Sequence, residues 1–186
     1  MVLSCVRLPL AFDPAPMRAD VERLGAEEWV AHFNTAIYAG DWSGIALRSV
    51  GGAPTQLYPD PTAQGAFVDT DVLRRCPALA AAVARFECEL MAVRLLRLGA
   101  GAGIGEHRDY RLGHADGEIR VHVPITRSPD VEFRVDGQRV PMRAGEAWYL
   151  DLNLPHSVAN RGDRDRVNLV VDCVVNPWLD RMLGAA

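Results

Sequence analysis

The sequence predicts a mainly β fold with flanking helices, in which helices pack against a β-sandwich or jelly roll. Two observations carry this expectation. After residue 86, short apolar runs recur at close spacing between turn signals, the pattern of an antiparallel sandwich or barrel. Before it, apolar residues recur at helix-like spacing from Met17 to Tyr38 and again from Thr70 to Phe86, with strand-like segments around them.

Taken in order, Val2 to Leu8 reads as an edge strand, and Asp13-Pro14-Ala15-Pro16 as a turn that opens a helix. Val21, Leu24, Trp29, Phe33 and Ile37 predict two helices, broken near Gly25. Gly44 to Val50 reads as a strand, and Gly51 to Gly65, rich in Gly and Pro, as a surface loop. Thr70 to Phe86 is helical, with Pro77 in the first turn of its second part. The runs Glu89–Leu98, Ile119–Thr126, Val131–Val135, Arg139–Met142, Ala147–Leu152, Ser157–Ala159 and Val167–Val175 are the predicted strands. Asp136-Gly137 between two of them marks a hairpin. With no repeat, linker or low-complexity tract, residues 1–186 read as one domain: a helical and mixed part over 1–88 packing on a β core over 89–176.

A chain of 186 residues can bury a sizeable core, and 49% hydrophobic with 24% charged residues is ordinary for a globular protein. The formal net charge of −4 provides no general basic field for nucleic acid or an anionic membrane. All 20 cationic residues are Arg. The absence of Lys removes Schiff-base chemistry, a phosphate-binding P-loop lysine and any lysine base. Arg7 interrupts the apolar opening, Asp13 soon follows, and no small-residue cleavage site is evident. No stretch approaches the ~18 apolar residues of a membrane span. The expectation is a cytoplasmic protein without nucleic-acid or membrane partners. Cys5, Cys76, Cys88 and Cys173 are scattered and form no CxxC pair, which fits reduced thiols.

Four of the five histidines lie between positions 107 and 156. His107-Arg108-Asp109 with the later His156 can supply two imidazoles and a carboxylate to one metal, because positions i and i+2 of an extended segment share a side. This facial set leaves coordination positions open, as non-haem Fe(II) oxygenases require. Arg166 follows His156 by ten residues, across the polar turn Asn160–Asp165, and begins another apolar run. The two are expected on adjacent antiparallel strands that point into one cavity, where a guanidinium grips a carboxylate through two parallel hydrogen bonds. Asn168 shares the face of Arg166 and offers one more hydrogen bond. In Ile119–Ile125, Arg120 and His122 alternate with apolar neighbours, so one face of that strand is polar and turned inward. Gly99–Gly105 does not fit GxGxxG and reads as a turn before the metal-binding strand. His32 reads as structural or exposed, and His114 as a loop residue.

From about residue 90 to 175 the chain resembles the aspartyl/asparaginyl beta-hydroxylase family, which includes free-proline hydroxylases. The matching pieces are His107-Arg108-Asp109, Ile119-Arg120-Val121-His122, Gly145–Asp151, and His156 with Arg166. The resemblance implies a cupin-like double-stranded β-helix over 89–176, holding Fe(II) and using O2 and 2-oxoglutarate. It also implies that Arg166 binds the distal carboxylate of 2-oxoglutarate and that His122 contacts it, while Arg120 addresses a substrate or cosubstrate carboxylate. Many related oxygenases carry Ser where this chain has Asn168. The implied reaction is hydroxylation of an amino acid or amino-acid-like side chain, free or in a short peptide, coupled to formation of succinate and CO2. Two other readings stand beside it: a cupin-type metalloenzyme that does not use 2-oxoglutarate, and a non-enzymatic sandwich that senses a carboxylate ligand.

Overall fold

The computed structural model describes residues 4–58, 65–126 and 129–184. Val2 and Leu3 of the predicted edge strand, and 59–64 of the predicted surface loop, lie outside the described residues. The chain runs through β1 (Cys5–Ala11), α1 (Pro14–Glu22), β2 (Val30–Ala31), β3 (Tyr38–Ala39), β4 (Trp42–Val50) and β5 (Phe67–Asp69). It continues through α2 (Asp71–Arg74), α3 (Pro77–Val83), β6 (Leu90–Leu98), β7 (Gly103–His107) and β8 (Glu118–Pro124). It ends with β9 (Val131–Val135), β10 (Gln138–Arg139), β11 (Glu146–Leu150), β12 (His156–Asn160), β13 (Arg166–Val174) and α4 (Pro177–Gly184).

The strands form two antiparallel sheets, the jelly-roll arrangement expected. An eight-stranded sheet has the order β1-β11-β8-β13-β6-β4-β2, with β5 paired to β4. A five-stranded sheet has the order β10-β9-β12-β7-β3. Within the mixed part over residues 1–88, β1, β2, β4 and β5 belong to the large sheet and β3 to the small one. The hairpin at Asp136-Gly137 forms as predicted, with φ of 50° and 73° at the two positions. No helix of the described residues is long and apolar enough to cross a membrane.

The large sheet is buried on both faces, and its period of two sorts the side chains. Val167, Leu169, Val171 and Cys173 of β13, with Ile119, Val121 and Val123 of β8, join the core under the helices. The intervening Arg166, Asn168, Asp172, Arg120 and His122 are buried on the opposite face. Towards the small sheet, Trp42, Leu98, Ile104, Phe133, Leu150 and Val158 form a second apolar cluster.

One expectation fails here. The helical spacing between Gly25 and Tyr38 gives only a short turn at Ala26–Glu28 and the brief strands β2 and β3. Aromatic stacking overrides the local spacing: the His32 ring lies flat on Trp42 at 3.5 Å between centroids, and the Arg97 guanidinium covers Trp29 at 4.4 Å.

The helical layer is fastened by a cap that the sequence does not announce. Cys76 precedes α3 without capping it through its side chain. The buried Asp20 of α1 instead accepts from Ala78 N at 2.8 Å and Leu79 N at 2.9 Å. A carboxylate at a helix start satisfies orphan donors and meets the positive end of the dipole. Asp20→Ala is expected to destabilise the fold by about 1–3 kcal/mol, read as a lower urea midpoint with an unchanged transition slope.

Candidate active site

The two sheets contribute different chemistry to one cavity of about 380 Å³. The small sheet brings the imidazoles. His107 closes β7, His156 opens β12, and they are direct cross-strand partners with ring centroids 4.2 Å apart. The register shifts between His156 and Val158, a bulge of the kind that re-aims side chains at sites. Each Nδ1 lies against a backbone carbonyl two residues earlier: His107 on Gly105 O at 2.9 Å, His156 on Leu154 O at 3.0 Å. A carbonyl only accepts, so both Nδ1 atoms carry a proton and each Nε2 is the nitrogen left for a ligand. Burial pushes the His156 imidazole below its ordinary pKa, which keeps it neutral.

Asp109 stands just past β7, its backbone N–H donating to Leu152 O at 2.9 Å. One ligand atom from each of His107, Asp109 and His156 lies within 4.8 Å of the others. Asp109 divides its carboxylate: Oδ1 lies 3.8 Å from His107 Nε2, while Oδ2 accepts from Arg120 Nη1 at 2.8 Å.

Arg120 is therefore not a spare cation. It also donates to Asp172 through Nε at 2.6 Å and Nη2 at 3.0 Å. Asp172 accepts from Arg94 Nη2 as well, at 2.7 Å. Arg94 is 0% exposed, donates to Leu57 O at 2.9 Å and covers the Tyr58 ring at 4.7 Å. Burial alone would raise the Asp172 carboxyl, but Arg120 and Arg94 outweigh it and hold the pKa at about 2. The sequence reading missed both Arg94 and Asp172. Their signal was a charge flanked by apolar residues in a predicted strand, between Val93 and Leu95 and between Val171 and Cys173.

Arg166 and His156 were expected on adjacent strands. They lie on consecutive strands of different sheets and face each other across the cavity that both line. A sandwich sends the chain from one sheet to the other at such a turn, so the shared cavity survives although the pairing does not. Arg166 is 6% exposed, packs over Phe133 at 5.6 Å, and its Nη2 has no partner among the described residues. Burial without a carboxylate pushes its pKa down to about 10. His122 lines the same cavity, and burial followed by the charges of Arg166 and Arg120 keeps it neutral. Its Nδ1 faces the Asn168 amide nitrogen at 3.4 Å, so its Nε2 carries the proton, and that atom is buried without a partner. Asn168 is wholly buried, and its amide nitrogen faces His122 Nδ1.

The outer wall is aromatic. His32, read as structural or exposed, is buried on the cavity wall. Its Nδ1 accepts from Asn34 N at 3.1 Å, so its Nε2 donates to the Tyr58 hydroxyl at 3.0 Å. Phe33, 76% exposed, and Tyr110, 83% exposed, stand at the rim. His114 lies outside this cavity in a short turn, against Asp180 at 2.7 Å.

Two outcomes follow from the electrostatics. Arg166→Met removes a buried cation that has no counter-charge among the described residues, so the ligand-free protein should become more stable by about 1–3 kcal/mol in thermal unfolding. Burial lowers the His32 pKa from 6.5 to about 4. The unfolded chain therefore takes up the proton first, and stability is lost as pH falls from about 6.5 towards 4. His32→Phe keeps the stack without titrating, so its urea midpoint should fall less than the wild-type midpoint over that range.

Residues 15–176 match the sequence profile of the aspartyl/asparaginyl beta-hydroxylase family. The chain is 25% identical over 174 residues to L-proline cis-4-hydroxylase of Rhizobium meliloti (strain 1021), covering 87% of this chain and 57% of that one. It is 30% identical over 172 residues to L-proline cis-3-hydroxylase 1 of Streptomyces sp, covering 87% and 59%. The chain thus spans less than two thirds of the length of these relatives. Among solved structures, a 2OG-Fe(II) oxygenase family oxidoreductase from Burkholderia pseudomallei superposes with a TM-score of 0.57 at 16% identity, over 94% of this chain and 88% of that one. At that identity the likeness concerns the fold, the double-stranded β-helix.

Proposed function

Because this chain belongs to the aspartyl/asparaginyl beta-hydroxylase family, we propose that it is an Fe(II)- and 2-oxoglutarate-dependent dioxygenase that hydroxylates an amino acid or amino-acid-like side chain. In this reading His107, Asp109 and His156 hold the metal. Two imidazoles whose Nδ1–H groups are bonded to backbone carbonyls, leaving Nε2 as the ligand atom, and one carboxylate oxygen suit Fe(II) in a facial set, with positions left for ligands. Bound together, Fe(II) and 2-oxoglutarate supply the oxidising chemistry: one atom of O2 enters the substrate hydroxyl, the other enters succinate, and CO2 is released.

The observation that carries the proposal is the buried guanidinium of Arg166, whose Nη2 has no partner among the described residues, in the same cavity as the triad and as the likewise partnerless Nε2 of His122. A buried cation without a counter-charge is costly, and a ligand carboxylate satisfies both donors at once. A metalloenzyme that does not use 2-oxoglutarate would leave Arg166 without a partner. Asn168 acts in this scheme by orienting His122. Arg120 keeps two N–H groups beyond its three bonds to Asp109 and Asp172, enough to meet a substrate carboxylate as well.

The cavity of about 380 Å³ suits a small cosubstrate with a small or short substrate. Substrate enters past Phe33 and Tyr110, while the apolar wall of Leu96, Ile104 and Val158 limits water around the triad. The proline hydroxylation named for the relatives makes a free amino acid the first substrate class to test. Four free thiols accord with a reducing, cytoplasmic setting.

The test is an anaerobic titration of the protein with Fe(II) and 2-oxoglutarate, followed by the weak visible charge-transfer band of the chelated cosubstrate. The band should form in the wild type, vanish with His156→Ala and weaken with Arg166→Met. Tight metal binding with no band in the wild type would reject the use of 2-oxoglutarate.

A further inference from the structure

Asp172 is buried, lies outside the candidate ligand set, and is held by two arginines at once. Its position decides what Arg120 can do. The three bonds of Arg120 divide as two to Asp172 and one to Asp109. This division leaves Asp109 Oδ1 free on the side facing His107. A guanidinium that loses one carboxylate partner turns its fork onto the other, because paired N–H···O bonds are the preferred geometry.

We propose that Asp172 is a positioning residue for the candidate metal centre: by occupying Arg120, it keeps one oxygen of Asp109 available to the metal. The inference rests on the reading of His107, Asp109 and His156 as metal ligands. Without the Asp172 charge, two effects act in the same direction. Arg120 takes both oxygens of Asp109, and its uncompensated charge in a dry site repels a divalent cation. Arg94 completes the arrangement by donating to Asp172 Oδ2, the oxygen that also accepts from Arg120 Nη2, and its bond to Leu57 O ties the Tyr58 wall to the same carboxylate.

Mn(II) titration of the purified protein, with free Mn(II) counted by electron paramagnetic resonance, tests this without turnover. Asp172→Asn should weaken Mn(II) binding roughly 10- to 100-fold. Asp172→Asn combined with Arg120→Met should recover most of that loss, because the competing cation is gone. Wild-type affinity in Asp172→Asn overturns the inference. So does a double variant that binds no better than the single one, since Asp172 would then act through folding alone. If Asp172→Asn does not fold by circular dichroism, a crystal structure of the Mn(II)-loaded wild type decides. Arg120 must bridge Asp172 and one oxygen of Asp109 there, and a freed Arg120 overturns the inference. Failure of the wild type itself to bind Mn(II) is a separate result that rejects the metal reading beneath it.

Discussion

Asp172 accepts hydrogen bonds from two arginines that are themselves buried, and the inner face of the large sheet is arranged around that contact. Taking a charge into a protein interior costs several kcal/mol unless opposite charge and hydrogen bonds replace the lost water. Arginine cannot escape that cost by shedding its proton, as a buried lysine does. In a chain without lysine, every inward cation is therefore permanent and needs an anion. Among the described residues, the buried Arg94, Arg120 and Arg166 exceed the carboxylates Asp109 and Asp172 by one, and no carboxylate is paired with Arg166. Fe(II) and 2-oxoglutarate, a dication with a dianion, would add no net charge to that balance.

The two sheets divide the work. Imidazoles come from the small sheet, where the cross-strand register of His107 and His156 sets their separation. Cations and the neutral His122 come from the large sheet, where alternation along β8 and β13 turns every second residue inward. Apolar residues at the intervening positions bind that sheet to the helices. The same strands thus serve core and site, and their charged faces are held rigidly because the opposite faces are packed.

Local pattern made part of this legible. His-x-Asp with a distant His, and the alternation around Arg120 and His122, are short-range signals that survive folding. The sheet assignments were less accessible, because the polar turn between Asn160 and Asp165 reads the same whether it joins neighbours in one sheet or crosses to the other. Trp29, Phe33 and Ile37 have the spacing of a helix, yet the stacks of His32 on Trp42 and of Arg97 on Trp29, with partners beyond any local window, decided the conformation of that segment. Asp20 was hidden for the same reason, since its partners Ala78 and Leu79 lie on another helix.

Asp109 differs from its companions in having no strand beneath it. Its backbone is tied to Leu152 and its side chain to Arg120, so it is pinned at two points while Arg108 and Tyr110 on either side face the cavity and its rim. Changes at these flanking positions alter the mouth without entering the strands that carry the histidines. On the proposed reading, the molecule thus keeps a centre whose histidines are placed by sheet register apart from a mouth formed by a loop.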